Sequence, residues 1–178
     1  MPLTIGTQTD PYLPDILAEI VERIDNKFFS RLTDPFHVYF AHGNYEQVGR
    51  WVKANPDKSP LVWLLPARWR RGEDPTIYGK ARISVWILAD SNNTYTQDQR
   101  DALTIKPRII PVYQELLKEI HRDESFSTQS GETLVHDLAE RPCWGLGVAN
   151  GTDNPNFFDK YVDAYTIENL ELKVRFTS

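Results

Sequence analysis

The chain has 178 residues, 40% of them hydrophobic and 12% aromatic, so it is long enough for one core and too apolar for a disordered tail. A formal net charge of -5 excludes a protein that coats nucleic acid over its whole surface and leaves only local contact with phosphate. A lone cysteine, Cys143, excludes an intrachain disulfide, and no window approaches the ~20 apolar residues of a membrane helix; the expectation is one soluble domain, 1–178, with no membrane partner.

The opening "MPLTIGTQTDPYLPD" has no basic segment followed by an apolar one, so it carries no recognisable targeting signal. Ile16, Leu17, Ile20, Val21, Ile24 and Phe28 then recur at helical spacing, with Glu19, Glu22, Arg23, Asn26 and Lys27 on the other side. In "FHVYFAHG" Phe36, Val38 and Phe40 alternate with His37 and Tyr39 as a strand would, with Gly43 as its end. "YEQVGRWVKANPDKSP" is mixed: Val48, Trp51 and Val52 fit a helical turn or the end of a strand equally well.

"LVWLL" is apolar at every position and reads as an interior strand covered on both faces. In "ARISVWILAD" the set Ala81, Ile83, Val85, Ile87 and Ala89 makes one apolar face. These strands are expected to pair antiparallel across a loop too long for a tight hairpin, giving a projecting arm over about 65–81. Thr96 and Gln99 are spaced as a capping box for a short helix. Ile109, Ile110, Tyr113, Leu116, Leu117 and Ile120 predict a regular helix from about Pro111 to His121, since Pro107 and Pro111 restrict where it can begin.

The region 125–156 reads as irregular, apart from a possible strand at Leu134 to Leu138; "RPCWGLGVANGTDNPNFFDK" is too rich in Gly, Asn and Pro for a regular element. Order returns with Tyr161, Ala164, Tyr165 and Ile167, then Leu170, Leu172, Val174 and Phe176. The inward set changes from odd to even positions near Glu168 and Asn169, which predicts a bulge or corner there. The sum is an α+β domain: a largely antiparallel sheet with a long projecting hairpin, covered on one face by two amphipathic helices.

Candidate chemistry is sparse. His37, His42, His121 and His136 show no ligand spacing, Cys143 beside Trp144 reads as a small hydrophobe, and "GLGVANG" has neither the preceding strand nor the following helix of a phosphate loop. Asp153, Asp159 and Asp163 read as solvated loop carboxylates. No catalytic, metal or cofactor site is assigned. The one charged feature with a plausible ligand is the loop carrying Arg68, Trp69, Arg70, Arg71, Tyr78 and Lys80, whose guanidinium groups beside Trp69 are suited to phosphate or base stacking, or to an acidic neighbouring subunit. For an acidic chain the protein contact is preferred and the nucleic-acid contact is its rival.

The order of these motifs resembles the tail terminator and head-tail joining proteins of tailed bacteriophages. The resemblance rests on the helix Ile16 to Phe28, the "PLVWLL" and "ARISVWILAD" strand pair with its long connection, the helix "IIPVYQELLKEI" and the closing "NLELKVRF". It covers about Asp15 to Phe176, and Ser125 to Asn156 departs from a compact member of that family. It implies a small structural subunit, not an enzyme and without cofactor, assembled in the host cytoplasm into a homo-oligomeric ring, commonly hexameric, at the tail end or neck of the virion. Tail-tube and neck or connector proteins would be its partners, and DNA could pass through a central channel.

Overall fold

A computed structural model describes residues 12–71, 78–126, 134–144 and 160–175. Helix α1 (Leu13–Lys27) starts with Pro14 in its first turn and Asp15 beside its N-terminal dipole, and ends with Lys27 in its last turn. It buries Leu13, Leu17, Ile20, Val21 and Ile24, each worth roughly 1.5–3 kcal/mol when taken fully out of water. The strand expected from Phe36 begins later, as β1 (Tyr39–His42). Ahead of it the chain is held otherwise: Phe36 stacks on Phe29 with ring centroids 4.8 Å apart, and the Val38 N–H donates to Asp25 Oδ1 at 2.8 Å.

The ambiguous stretch after Gly43 is a helix, α2 (Tyr45–Ala54). A full capping box decides it: the Gln47 N–H donates to Asn44 Oδ1 at 3.0 Å and the Asn44 N–H to Gln47 Oε1 at 2.8 Å. Strand β2 (Leu61–Leu64) follows, buried at every position, then β3 (Arg68–Arg71) and the long β4 (Tyr78–Asp90). Thr96 and Gln99 form the predicted capping box of the short α3 (Gln97–Arg100).

The main C-terminal helix, α4 (Ile110–Arg122), matches the expected span to within one residue at each end, with Pro111 in its first turn. Helix continues upstream without a break through residues Asp101–Ile109, wound as a π-helix with Pro107 inside it, back to α3. The wider π turn admits a proline that would clash with the carbonyl four residues back in an α-helix. Strand β5 (Asp137–Trp144) lies later than the expected Leu134 to Leu138 and takes in Arg141, Pro142 and Cys143. Its register breaks between Arg141 and Trp144; an edge strand interrupted in this way tolerates proline. Strand β6 (Val162–Arg175) closes the fold. Phe176 and the glycine-rich 145–151 lie outside the described residues.

The sheet runs β1-β2-β4-β6-β5, with β3 pairing β4 beyond the end of β2. Every pair is antiparallel except β1 with β2, which α2 joins as a crossover. One face, carrying Val62, Leu64, Ile83, Val85, Ile87, Ile167 and Leu170, packs on α1 and α4, as expected for two covering helices. The other buries Leu61, Trp63, Trp86, Leu88 and Trp144 with Val48 and Val52 of α2, so the sheet is covered on its second face as well.

The predicted bulge is present. Asn169 has φ 58°, and β4 advances from Ile83 to Val85 while β6 retreats from Leu170 to Ile167. That one extra residue keeps Leu170, Leu172 and Val174 on the same helix-packed face as Tyr165 and Ile167.

Candidate functional site

The basic loop sits on a three-stranded extension of the sheet. Strand β3 pairs with the first part of β4, and the last part of β6 pairs with the other side of that segment, from Tyr78 opposite Arg175 to Ile83 opposite Leu170. The hairpin is therefore braced by a third strand. Leu172 and Val174 are buried beneath it, and the Arg175 N–H donates to the Ser125 carbonyl at 2.8 Å.

Strand alternation divides the residues the sequence had grouped. Arg68 registers with Arg82, and Arg82 with Glu171; Lys80 registers with Lys173. These lie on the sheet face opposite the two covering helices, where Arg68 and Lys80 are exposed and Lys173 is half-buried. Trp69 registers with Ala81, whose own neighbour Leu172 belongs to the helix-packed core, so Trp69 is on the other face and 44% exposed. Side chains at successive strand positions point to opposite faces, so Arg68 lies on the face away from Trp69 and the two cannot clamp one base together. The side chains of Arg70, Arg71 and Tyr78 lie outside the described residues; their backbones register with Lys80, Gly79 and Arg175.

Lys173 and Arg175 were missed as part of this face. Alternation in "NLELKVRF" put Glu171, Lys173 and Arg175 on one side of a strand, but only the register of β6 on β4 sets them beside Lys80 and Arg82. Like charges directly opposite one another weaken a sheet, here at Arg68 with Arg82 and Lys80 with Lys173. Among the described residues the acid that offsets them is Glu171, in an ion pair with Arg82. The pattern opposes the stability of the isolated chain, and an anionic partner would relieve it.

A second polar constellation is internal. Asp163, fully buried, accepts from Arg100 Nη1 at 2.9 Å, the Ser91 hydroxyl at 2.7 Å and the Cys143 N–H at 2.8 Å. Arg100 Nη2 donates to the carbonyls of Asn92 at 2.9 Å and Tyr95 at 3.2 Å. The reading of Asp163 as a solvated loop carboxylate is corrected: β6 extends back to Val162 and carries it inside, where burial obliges a carboxylate to find donors. Asp153 and Asp159 lie outside the described residues. The knot holds Cys143 at φ 52° and so fixes the end of β5.

The histidines are dispersed. His37 Nδ1 lies 3.0 Å from Asp25 Oδ2, His42 ends β1, and His136 Nε2 lies 2.9 Å from the Tyr113 hydroxyl. Among the described residues no three His, Cys, Asp or Glu side chains gather as a metal site. Nearby, burial and the Glu140 carboxylate that accepts its hydrogen bond push the Tyr165 hydroxyl above its usual range. Between α1 and α4, Arg23 pairs with Asp123 and reaches Glu119 at 3.5 Å. Burial alone would raise the Asp123 carboxyl, but its bonds to Arg23 and Ser125 outweigh it and hold the group below the ordinary value of 3.8.

Among the described residues no helix is long and apolar enough to cross a membrane. No protein-family model matches the chain, and no curated protein matches it in sequence.

Proposed function

We propose that this chain is a structural subunit of a tailed-phage virion that assembles with copies of itself into a ring at the tail end or the head-tail junction. The observation that carries the reading is the braced arm: β3, β4 and β6 continue the sheet beyond β2 and present Arg68, Lys80, Lys173 and Arg175 outward on a rigid base. A strand-braced face with unbalanced charge suits docking on another macromolecule by charge. The motif order that resembles tail terminator and head-tail joining proteins supplies the location and the expected ring, commonly hexameric, meeting tail-tube and neck proteins. Light scattering after size exclusion, with imaging of purified particles, tests it. A protein that stays monomeric at high concentration and is missing from virions refutes it.

A second reading, a nucleic-acid-binding accessory protein, is favoured by the addition of Lys173 and Arg175 to the basic face. With Trp69 on the opposite face, such binding would be to phosphate and steeply salt-dependent. Failure to retain duplex DNA at low salt would end it.

A further inference from the structure

Strand β5 ends the sheet beside β6, and among the described residues no strand pairs with its outer side. Which of its backbone groups face outward follows from β6. The Ser91 N–H donates to the Tyr161 carbonyl at 3.0 Å, one step past the pair of Asp90 with Val162, so Asp163, Tyr165 and Ile167 likewise turn their N–H and C=O groups toward β4. Ala164, Thr166 and Glu168 therefore turn theirs toward β5, where they meet Arg141, Ala139 and Asp137. That leaves the N–H and C=O groups of Leu138 and Glu140 pointing out of the sheet, where a further strand can add. Pro142 comes next in the same alternation, so the N–H it lacks is one that β6 does not use.

The side chains divide along the strand as well. Asp137, Ala139 and Arg141 register with Glu168, Thr166 and Ala164, on the face away from α1 and α4. Leu138, which is 43% exposed, and Glu140 register with Ile167 and Tyr165 on the helix-packed face. Asp137 stands opposite Glu168, and its Oδ2 accepts from Asn169 Nδ2 at 2.7 Å. Two carboxylates facing each other across a strand pair repel, and a cation brought beside them relieves the repulsion.

We infer that a second copy of this chain covers this edge: β5 of one molecule adds antiparallel to β5 of another about a two-fold axis through Ala139. Such an axis, perpendicular to the sheet, keeps the helices of both copies on one side and must pass through a residue, because opposed side chains share a face. Centred on Glu140, it sets like carboxylates together and places Pro142 opposite Leu138, where a donor is needed. Centred on Leu138, it places Arg141 opposite Val135, ahead of the strand, and brings Asp137 no cation. Centred on Ala139, it sets Asp137 of each copy opposite Arg141 of the other. The small Ala139 then meets itself in a non-hydrogen-bonded pair, the closer of the antiparallel spacings. Leu138 and Glu140 exchange backbone hydrogen bonds on each side of the axis, and the two exposed Leu138 side chains lie diagonally across it. The contact is isologous and closes on itself as a pair, so it goes beyond the ring reading and does not depend on it.

The experiment measures the mass of the full-length chain across a concentration series for the wild type, Asp137→Arg, Arg141→Asp and an equimolar mixture of the two variants, with thermal melts to confirm folding. Within each variant the pairs across the axis become like-charged; in the mixed dimer both are opposite. The expected result is a wild type that dimerises, each variant weakened by about tenfold or more in Kd, and recovery in the mixture as the heterodimer. Ala139→Cys gives an independent readout: with an added oxidant it should form a covalent dimer that the wild type, bearing only Cys143, does not. If a charge variant fails to fold, that cross-link decides. A wild type that stays monomeric overturns the inference, as do folded variants that pair like the wild type, loss in both variants without rescue in the mixture, or no added cross-linking in Ala139→Cys. Rings whose mass every variant leaves unchanged overturn it while leaving the ring reading in place.

Discussion

Replacing Arg100 with methionine keeps much of the side chain's length but strands Asp163 in the interior as a charge with no counter-ion. Asp163 is 0% exposed and Arg100 is 5% exposed. At their 2.9 Å separation the gross attraction is about 6 kcal/mol for an effective dielectric near 20, much of it offset by the cost of burying both ions. Removing one partner forfeits the attraction without refunding the burial of the other, and such losses run to about 3–5 kcal/mol. The carbonyls of Asn92 and Tyr95 lose a donor at the same time. With a urea dependence of about 2 kcal/mol per molar, the midpoint of unfolding should fall by about 1.5–2.5 M, read by tryptophan fluorescence. The double variant Arg100→Met with Asp163→Leu should be more stable than Arg100→Met alone, because it removes the stranded charge and adds only the Cys143 N–H to the groups left without a partner. An Arg100→Met variant within about 1 kcal/mol of the wild type, or a double variant that is weaker still, would refute the reasoning.

At the bulge, Asn169→Gly should be tolerated, while Asn169→Val should cost about 1–2 kcal/mol because a β-branched residue resists the left-handed conformation seen at φ 58°; paired denaturation curves compare them. Gly43→Ala should destabilise by roughly 1–3 kcal/mol and lower helicity by circular dichroism. Gly43 has φ 151°, and an added Cβ would lie 2.4 Å from Gln47 Oε1, breaking the α2 capping box, and 3.0 Å from Trp63 Cζ2. Arg23→Gln tests the Asp123 interaction through pH. Because the carboxyl is depressed in the fold, its stabilisation is present above its ordinary value of 3.8 and disappears as pH falls through the lower folded value. The stability gap between wild type and variant should therefore be full at neutral pH and close in strong acid; a gap that persists there contradicts the assignment. The exposed Arg82 and Glu171 pair should contribute no more than about 1 kcal/mol in a double-mutant cycle.

Local pattern carried a large share of this fold. The periodicity of α1, the all-apolar β2, the odd apolar face of β4, the Thr96 and Gln99 capping box and the bulge at Asn169 are each set by residues within a few positions of one another, so they can be read along the chain. What local pattern missed depended on distant partners. The proline-bearing Arg141 to Trp144 became strand because it lies against β6 and Asp163 holds its Cys143 N–H; Pro107 entered a helix because a π turn made room for it.

The sequence by itself determined an α+β chain with a basic arm, because spacing and charge are properties of neighbouring residues. Only the tertiary structure decided which face each charge occupies. It parted Arg68 from Trp69, added Lys173 and Arg175 to the basic face and buried Asp163. The physical reason is register. Strand pairing between segments far apart in sequence sets which side chains become neighbours, and a shift of one residue turns every side chain to the other face.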